Sequence, residues 1–358
     1  MYSLIIGNPP YISLERLNRR YINEGFYSYA GRADVYCLFY EKALQLVEEN
    51  GCICFITSNK WLRADYGERL RSLLSKKEHK ILKDNLMCFE EARVDANILL
   101  LQNKPATIDY ITLSKPLIKG TPLSQLPVRM YRGIETGYNK AFVITEEKRK
   151  ELLDKCPQAE HIIHKLLRGR DVKPFSVKES NLYVIYLHNG TEKEPRININ
   201  DYPAIKEHID KYKQFIEKRA HQGDTIYNAR PNKNDYFKPK VVFTELSKIP
   251  YFTIDSTYLP FSSVNCIEGK DMEYIMAVLS SKTGDELYKK YFACNNLGEN
   301  TRYKIAYLKN MPIPEADKQT KEYIKSLVYQ IIDEKKKGLD TQKKEDEINQ
   351  IVLELYSI

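Results

Sequence analysis

The 358-residue chain is long enough for two ordinary domains or one large one. With 42% hydrophobic and 29% charged residues it has the balance of a soluble globular protein. It holds no apolar run able to span a bilayer and no N-terminal signal pattern, so the expected compartment is the cytoplasm. The seven cysteines are odd in number, without a Cys-x-x-Cys pair, which argues against a disulfide framework. Cys52 and Cys54 read as structural thiols on one face of a strand, and the His161/His164 pair as ordinary histidines rather than metal ligands, so no metal is expected. The net charge of +8 is uneven: residues 105–315 hold 33 basic against 26 acidic side chains, a net of +7. That stretch also holds many of the 27 tyrosines. Basic and aromatic residues together suit phosphate contact and base stacking, although a mixed solvated surface has the same composition.

Residues 2–6 read as a buried strand running into Gly7 and the turn Asn8-Pro9-Pro10-Tyr11. Paired prolines forbid continuing a central strand or a helix there. A helix is expected over 35–49, ended by Gly51, then an apolar strand over 52–57 and a loop at 58–61. A second helix over 66–77 turns Leu70, Leu73 and Leu74 inward, and two more strands follow at 79–88 and 96–102. This order predicts an α/β sheet with a hairpin at one edge. Prolines at 105, 116, 122 and 127 mark a boundary, which divides the chain into 1–104, 105–315 and 316–358. The middle segment predicts α+β structure, with strands at 141–144, 182–187, 240–244 and 251–254 and helices near 146–155, 159–167, 203–219 and 271–291. The last segment predicts two helices split near Gly338.

The turn carries recognisable chemistry. The exocyclic amine of adenine or cytosine is a poor nucleophile, because its lone pair is delocalised into the ring. The Asn8 side-chain carbonyl and the Pro9 backbone carbonyl can accept its two N–H bonds, and the prolines fix both acceptors in advance. Tyr11 offers a flat face for a planar base. A base buried in a duplex must be flipped out to reach such a pocket. A chance turn at a strand end is the plain alternative, but its place directly after an apolar strand is where an α/β sheet builds its sites.

Gly7-Asn8-Pro9-Pro10-Tyr11-Ile12 resembles motif IV of the adenine-N6 DNA methyltransferases. Arg32-Ala33-Asp34-Val35-Tyr36 with Phe39 resembles their motif V. Gly51 to Leu62 resembles motif VI, and Phe89-Glu90-Glu91-Ala92 with Asn97-Ile98-Leu99-Leu100-Leu101 resembles motifs VIII and VII. The resemblance implies that Asn8, Pro9, Pro10 and Tyr11 form the catalytic turn. It also implies that Phe89 stacks on the base opposite Tyr11, unless it is a core aromatic, and that Asp34 lies on the cofactor side. Residues 133–142 (Gly-Ile-Glu-Thr-Gly-Tyr-Asn-Lys-Ala-Phe), Leu167 to Val172, Lys238 to Phe243, and Arg302-Tyr303 through Pro314 resemble the TaqI-like C-terminal specificity domain of type IIG and related type II restriction-modification enzymes. This implies a target-recognition domain for double-stranded DNA. Lys140, Arg168, Arg170, Arg230 and Arg302 are DNA-contact candidates, as phosphate-facing or merely solvated groups rather than base readers.

In such enzymes S-adenosylmethionine is held mainly by a glycine-containing loop and an acidic residue that precede the Asn-Pro-Pro-Tyr turn. Seven residues precede the turn here, and no Gly-x-Gly follows it. The expectation is therefore a partial Rossmann-like methyltransferase sheet (its later strands only), an α+β target-recognition domain and C-terminal helices. The missing cofactor part, with or without a nuclease, would come from the same or another chain. Two alternatives stay open: a non-catalytic DNA-binding specificity module, and a protein-glutamine N5-methyltransferase, which uses the same turn for an amide nitrogen.

Overall fold

The computed structural model describes residues 1–17, 25–30, 33–87, 95–107, 111, 118–190, 194–220, 222–230, 235–293 and 299–356. The chain packs as two compact units. The first comprises Met1–Lys119, Leu287–Arg302 and Asn310–Pro312; the second comprises Gly120–Glu286, Tyr303–Lys309 and Ile313–Ile358. The first unit thus runs beyond residue 104, and the C-terminal helices belong to the second unit rather than standing apart.

The main elements of the first unit are β1 (Tyr2–Gly7), α1 (Tyr36–Leu46), β2 (Val47–Ser58), α2 (Glu68–Leu74), β3 (Lys77–Met87) and β4 (Asp95–Pro105). They build a four-stranded mixed sheet in the order β1-β2-β4-β3. β1 and β2 are parallel, and β4 runs antiparallel to both β2 and β3. Alternation divides the sheet cleanly. Ile53, Phe55, Leu99 and Leu101 point to one face and are buried with Tyr36, Tyr40 and Ala43 of α1 and Leu70 and Leu74 of α2. The opposite face carries Leu4 and Ile6, which are exposed, and Cys52, Cys54, Ile56, Ile98 and Leu100, which are half-buried.

The helix expected over 35–49 ends at Leu46, because Val47 is buried in strand pairing opposite Tyr2. Gly51 therefore does not end a helix. It lies within β2, after Asn50 at φ 63°, and a Cβ on it would stand 3.0 Å from the Ser3 carbonyl oxygen and 2.7 Å from Val47 Cγ2. The missing side chain lets β1 close onto β2.

The second unit contains β5 (Val128–Arg132), β6 (Val143–Thr145), α3 (Glu146–Lys155), β7 (Ile163–Leu167), β8 (Leu182–Ile185), α4 (Pro203–Asp210), β9 (Lys240–Thr244), β10 (Phe252–Asp255), β11 (Leu259–Pro260), β12 (Val264–Gly269), α5 (Met272–Ser280), α6 (Lys318–Lys336) and α7 (Gln342–Tyr356). One sheet has the order β10-β9-β12-β5 and is antiparallel throughout. The other has the order β11-β7-β8-β6, with β11 parallel to β7. α5 is buried from Met272 to Leu279, packed between the first of these sheets and the helices α6 and α7. Ile324, Leu327, Val328 and Ile331 of α6 are buried. Gly338, at φ 72°, separates α6 from α7.

Two expectations are corrected here. Residues 141–144 begin as the last part of a single helical turn, Asn139–Phe142, before β6. Residues 159–167 are not a helix: a 3-10 turn from Pro157 to Ile162 leads into β7, whose Ile163, His164 and Lys165 pair with β8. β-branched Ile162 and Ile163 and the open edge of β8 outweigh the helical spacing of apolar residues. His161 Nε2 lies 2.8 Å from the Tyr202 hydroxyl, and the His164 ring packs 4.7 Å from that of Phe237. Burial, helped by His161 and His188, pushes His164 down to about 4, so it is neutral at ordinary pH. Among the described residues no helix is long and apolar enough to cross a membrane.

Candidate functional site

The Asn8-Pro9-Pro10-Tyr11 turn leaves β1 directly after Gly7, which pairs with Phe55. It therefore sits at the carboxyl ends of the two parallel strands, where α/β sheets place their ligands. Pro9 is buried and anchors the turn, Asn8 and Pro10 are exposed, and Tyr11 is half-buried. The Tyr11 hydroxyl donates to the Ile56 carbonyl oxygen at 3.4 Å, and its ring meets Tyr36 edge-on at 6.1 Å. Tyr36 in turn shares a 3.0 Å hydrogen bond with the Tyr66 hydroxyl.

The chain beyond the turn is tied to the entry of α1. Leu14 N donates to Ala33 O (2.9 Å), Val35 N donates to Ile12 O (2.8 Å), and Ser13 and Asp34 form an antiparallel bridge. Asp34 is thereby fixed beside the turn. Burial raises its carboxyl above the usual range, and the nearby Lys60 ammonium opposes the rise. Lys60 comes from the 3-10 turn Asn59–Leu62 that follows β2, where the Ser58 hydroxyl accepts from Lys60 N at 3.4 Å. Sequence reasoning passed over Lys60, although it stands inside the stretch that resembles motif VI. Behind the turn, Tyr40 and Thr57 share a hydrogen bond of 3.1 Å, and Thr57 donates to Asn97 Oδ1 at 3.2 Å. Burial pushes the Tyr36 and Tyr40 phenols upward and the Cys37 thiol to about 12, so these groups stay neutral. Chemically, the site offers fixed carbonyl acceptors at a strand end, an aromatic plane held in one orientation, and one half-buried carboxyl. Phe89 lies outside the described residues.

The five basic candidates are placed differently from one another. Lys140, Arg170 and Arg230 are exposed in the second unit. Arg168 is half-buried and forked onto Asp171, with Nε to Oδ2 at 2.7 Å and Nη2 to Oδ1 at 3.0 Å, so its guanidinium is already engaged. Arg302 belongs to the first unit, and its carbonyl oxygen accepts from the Tyr288 hydroxyl at 2.7 Å.

One buried cation had no sequence signal. Arg219 is 7% exposed, and its Nη atoms donate to the carbonyl oxygens of Thr136, Ile226 (2.9 Å) and Asn228. Its guanidinium lies over Phe142, 4.8 Å from the ring centre. Gly137, at φ 69°, brings its loop so close that a Cβ would stand 3.0 Å from Arg219 Cβ. The 133–142 motif is thus clamped to the 222–230 loop. Burial draws Arg219 down to about 10, which still leaves it charged at neutral pH.

Residues 1–89 match the family model described as Eco57I restriction-modification methylase. The type II methyltransferase M.MjaIV of Methanocaldococcus jannaschii is 25% identical over 236 residues, 62% of this chain and 76% of that protein. The type II restriction enzyme and methyltransferase RM.Eco57I of Escherichia coli is 23% identical over 278 residues, 72% of this chain but 27% of that protein. Among solved structures, the type IIL restriction-modification enzyme MmeI in complex with DNA aligns over 99% of this chain and 54% of its own, with a TM-score of 0.69 at 14% identity. The chain thus resembles the methyltransferases of restriction-modification systems, by a family model over its first 89 residues, by sequence over as much as 72% of its length and by fold over nearly all of it.

Proposed function

We propose that this chain carries the target-amine side of a site-specific DNA adenine-N6 methyltransferase, with residues 105–315 as its TaqI-like target-recognition module and 316–358 as a helical extension of it. The observation that supports this most is the Asn8-Pro9-Pro10-Tyr11 turn at the carboxyl end of β1, pinned through Tyr11 to Ile56 and through Ser13 to Asp34. A flipped adenine would place N6 against the Asn8 Oδ1 and the Pro9 carbonyl oxygen. Both accept N–H bonds and draw the nitrogen towards tetrahedral geometry, which frees its lone pair for attack. Tyr11 would stack on one face of the base and Phe89 on the other. No strong general base is required, because positive charge builds on the amine as the methyl group arrives.

S-adenosylmethionine would supply the electrophilic methyl group. The residues present do not fit that cofactor by themselves. No two of the 15 glycines stand at i and i+2, and Asp34 is the chain's contribution on the cofactor side. We infer that a further segment, in the same or another chain, completes the site by docking on β1. The exposed Tyr2 (59%), Leu4 (52%) and Ile6 (70%) on that strand are the surface it would cover.

The test is isothermal titration of the chain with S-adenosylmethionine, followed by mass spectrometry of plasmid DNA for N6-methyladenine. Neither binding nor methylation is expected from the chain alone, and both are expected once a cofactor-binding part is supplied. Micromolar binding and methylation by the chain alone would refute the incomplete site. Sequence-specific DNA binding with no methylation in any complemented form would leave a specificity module, which the exposed β1 also accommodates. Methylation of a protein glutamine without DNA binding would overturn the DNA reading.

A further inference from the structure

The second unit presents an aromatic stack that the amine pocket does not use. Tyr138 and Phe215 lie parallel, 1° apart in plane, with ring centres at 5.0 Å. Phe215 is 47% exposed although it is a large apolar side chain, and it stands on the short helix Lys213–Ile216, whose Ile216 is fully buried. Tyr138 follows Gly137, and the Arg219 clamp fixes that loop against the end of the same helical segment. The Tyr212 ring supports Tyr138 from the side at 5.9 Å. The stack is therefore preorganised, with the Phe215 ring about half exposed to solvent.

Exposed lysines flank the stack along the chain: Lys140, Lys211, Lys213 and Lys218 all lie within four residues of one or other stacked ring. Glu135, in the same window, faces Arg132 at 3.6 Å. Glu217 is the acid of the 211–219 stretch, and Asp210 just before it accepts from the Tyr227 hydroxyl at 2.7 Å. A stacked, exposed aromatic ring flanked in the chain by exposed lysines matches a polyanion that also carries flat apolar rings. Nucleic acid has that chemistry, because every base has a π face and every base step a phosphate.

We propose that Phe215, backed by Tyr138, is a stacking platform for a base unstacked from DNA, with these four lysines on the neighbouring phosphates. This rests on the DNA-methyltransferase reading and adds to it a surface of the recognition module. The platform holds a base by its face and is not selective among bases. It strengthens binding and fixes the DNA's position, while sequence is read elsewhere.

The full chain is titrated with short duplexes, one fully paired and one carrying a single unpaired adenine. Wild type is expected to prefer the unpaired base, since less unstacking energy is lost. Phe215→Ala should bind about ten- to hundred-fold more weakly, the range a stacked base is worth, with an unchanged circular dichroism melt. Lys140→Gln with Lys213→Gln should flatten the salt dependence by roughly 0.9 in log–log slope for each phosphate left without its ammonium partner. Phe215→Trp supplies a direct readout, because the one native tryptophan, Trp61, is buried. Emission of the new indole should be quenched on adding the unpaired-base duplex. Unchanged affinity in Phe215→Ala, or emission indifferent to DNA, overturns the platform while leaving the methyltransferase reading intact. Failure of wild type to bind either duplex removes both, and is told apart because no variant is needed to see it.

Discussion

Tyr11 has two fixed ends: its hydroxyl on Ile56 O and its ring edge on Tyr36. Asn8 beside it is exposed on a turn that Pro9 buries. In the proposed mechanism the two act differently, and only Asn8 is dispensable for the fold. Asn8→Ala, measured in the complemented enzyme, should lower methyl transfer by roughly 10²-fold with DNA affinity retained, the usual scale for one preorganised polar contact. Asp34 makes a separate prediction. Burial holds its proton to a higher pH in the folded chain than in the unfolded chain. Across that window the native state binds more protons, so stability falls as pH rises through it, and the full cost is present at neutral pH. Asp34→Asn should therefore raise Tm at pH 7 by a few degrees at most, since the carboxyl is half-exposed, and the gain should vanish below about pH 4. A thermal melt series across that range checks it. At this scale the sequence was informative wherever a residue's role lies in its backbone: two prolines in a row announce a fixed turn. Lys60 and Arg219 were not legible, because each depends on which distant loop folds against it.

Elements followed the sequence where one signal governed them. β9 and α3 were legible to the residue, since one is centred on the apolar run Val241–Phe243 after Pro239 and the other begins at a Thr145 cap and stops before Pro157. The register of β2 was not. Helical spacing carries through Leu46 and Val47, but tertiary pairing with Tyr2 claims Val47 for the sheet. β7 misled for a like reason, as its residues suit a helix until β8 supplies a partner. Gly51 gives the test of the β1–β2 join. Gly51→Ala would place a methyl group against Ser3 O and Val47, and should cost about 1–3 kcal/mol of unfolding free energy, read by urea melts.

At the scale of the whole molecule, the notable property is an apolar strand at a sheet edge. Edge strands of this kind template pairing with other chains unless they are blunted. Wild type should therefore associate with rising concentration in light-scattering chromatography. Ile6→Lys, at a position 70% exposed, should suppress that association with little loss of stability and should also block complementation by the cofactor-binding part. An oligomer that is indifferent to Ile6→Lys would place the contact elsewhere. The charge distribution was readable from composition alone, whereas the exposure of Leu4 and Ile6 emerged only from knowing which face α1 and α2 cover.

The Arg219 clamp bears on how the proposed recognition module could change its target. Its three acceptors are main-chain oxygens, at Thr136, Ile226 and Asn228. Every amino acid carries that oxygen, so these three bonds do not depend on the side chains at those positions, while Gly137 and Phe142 must stay as they are to meet Arg219. Exposed neighbours such as Lys140 and Arg230 can be exchanged without loosening the clamp. In the proposed recognition module, a joint gripped in this way would keep its geometry while the exposed side chains around it are exchanged.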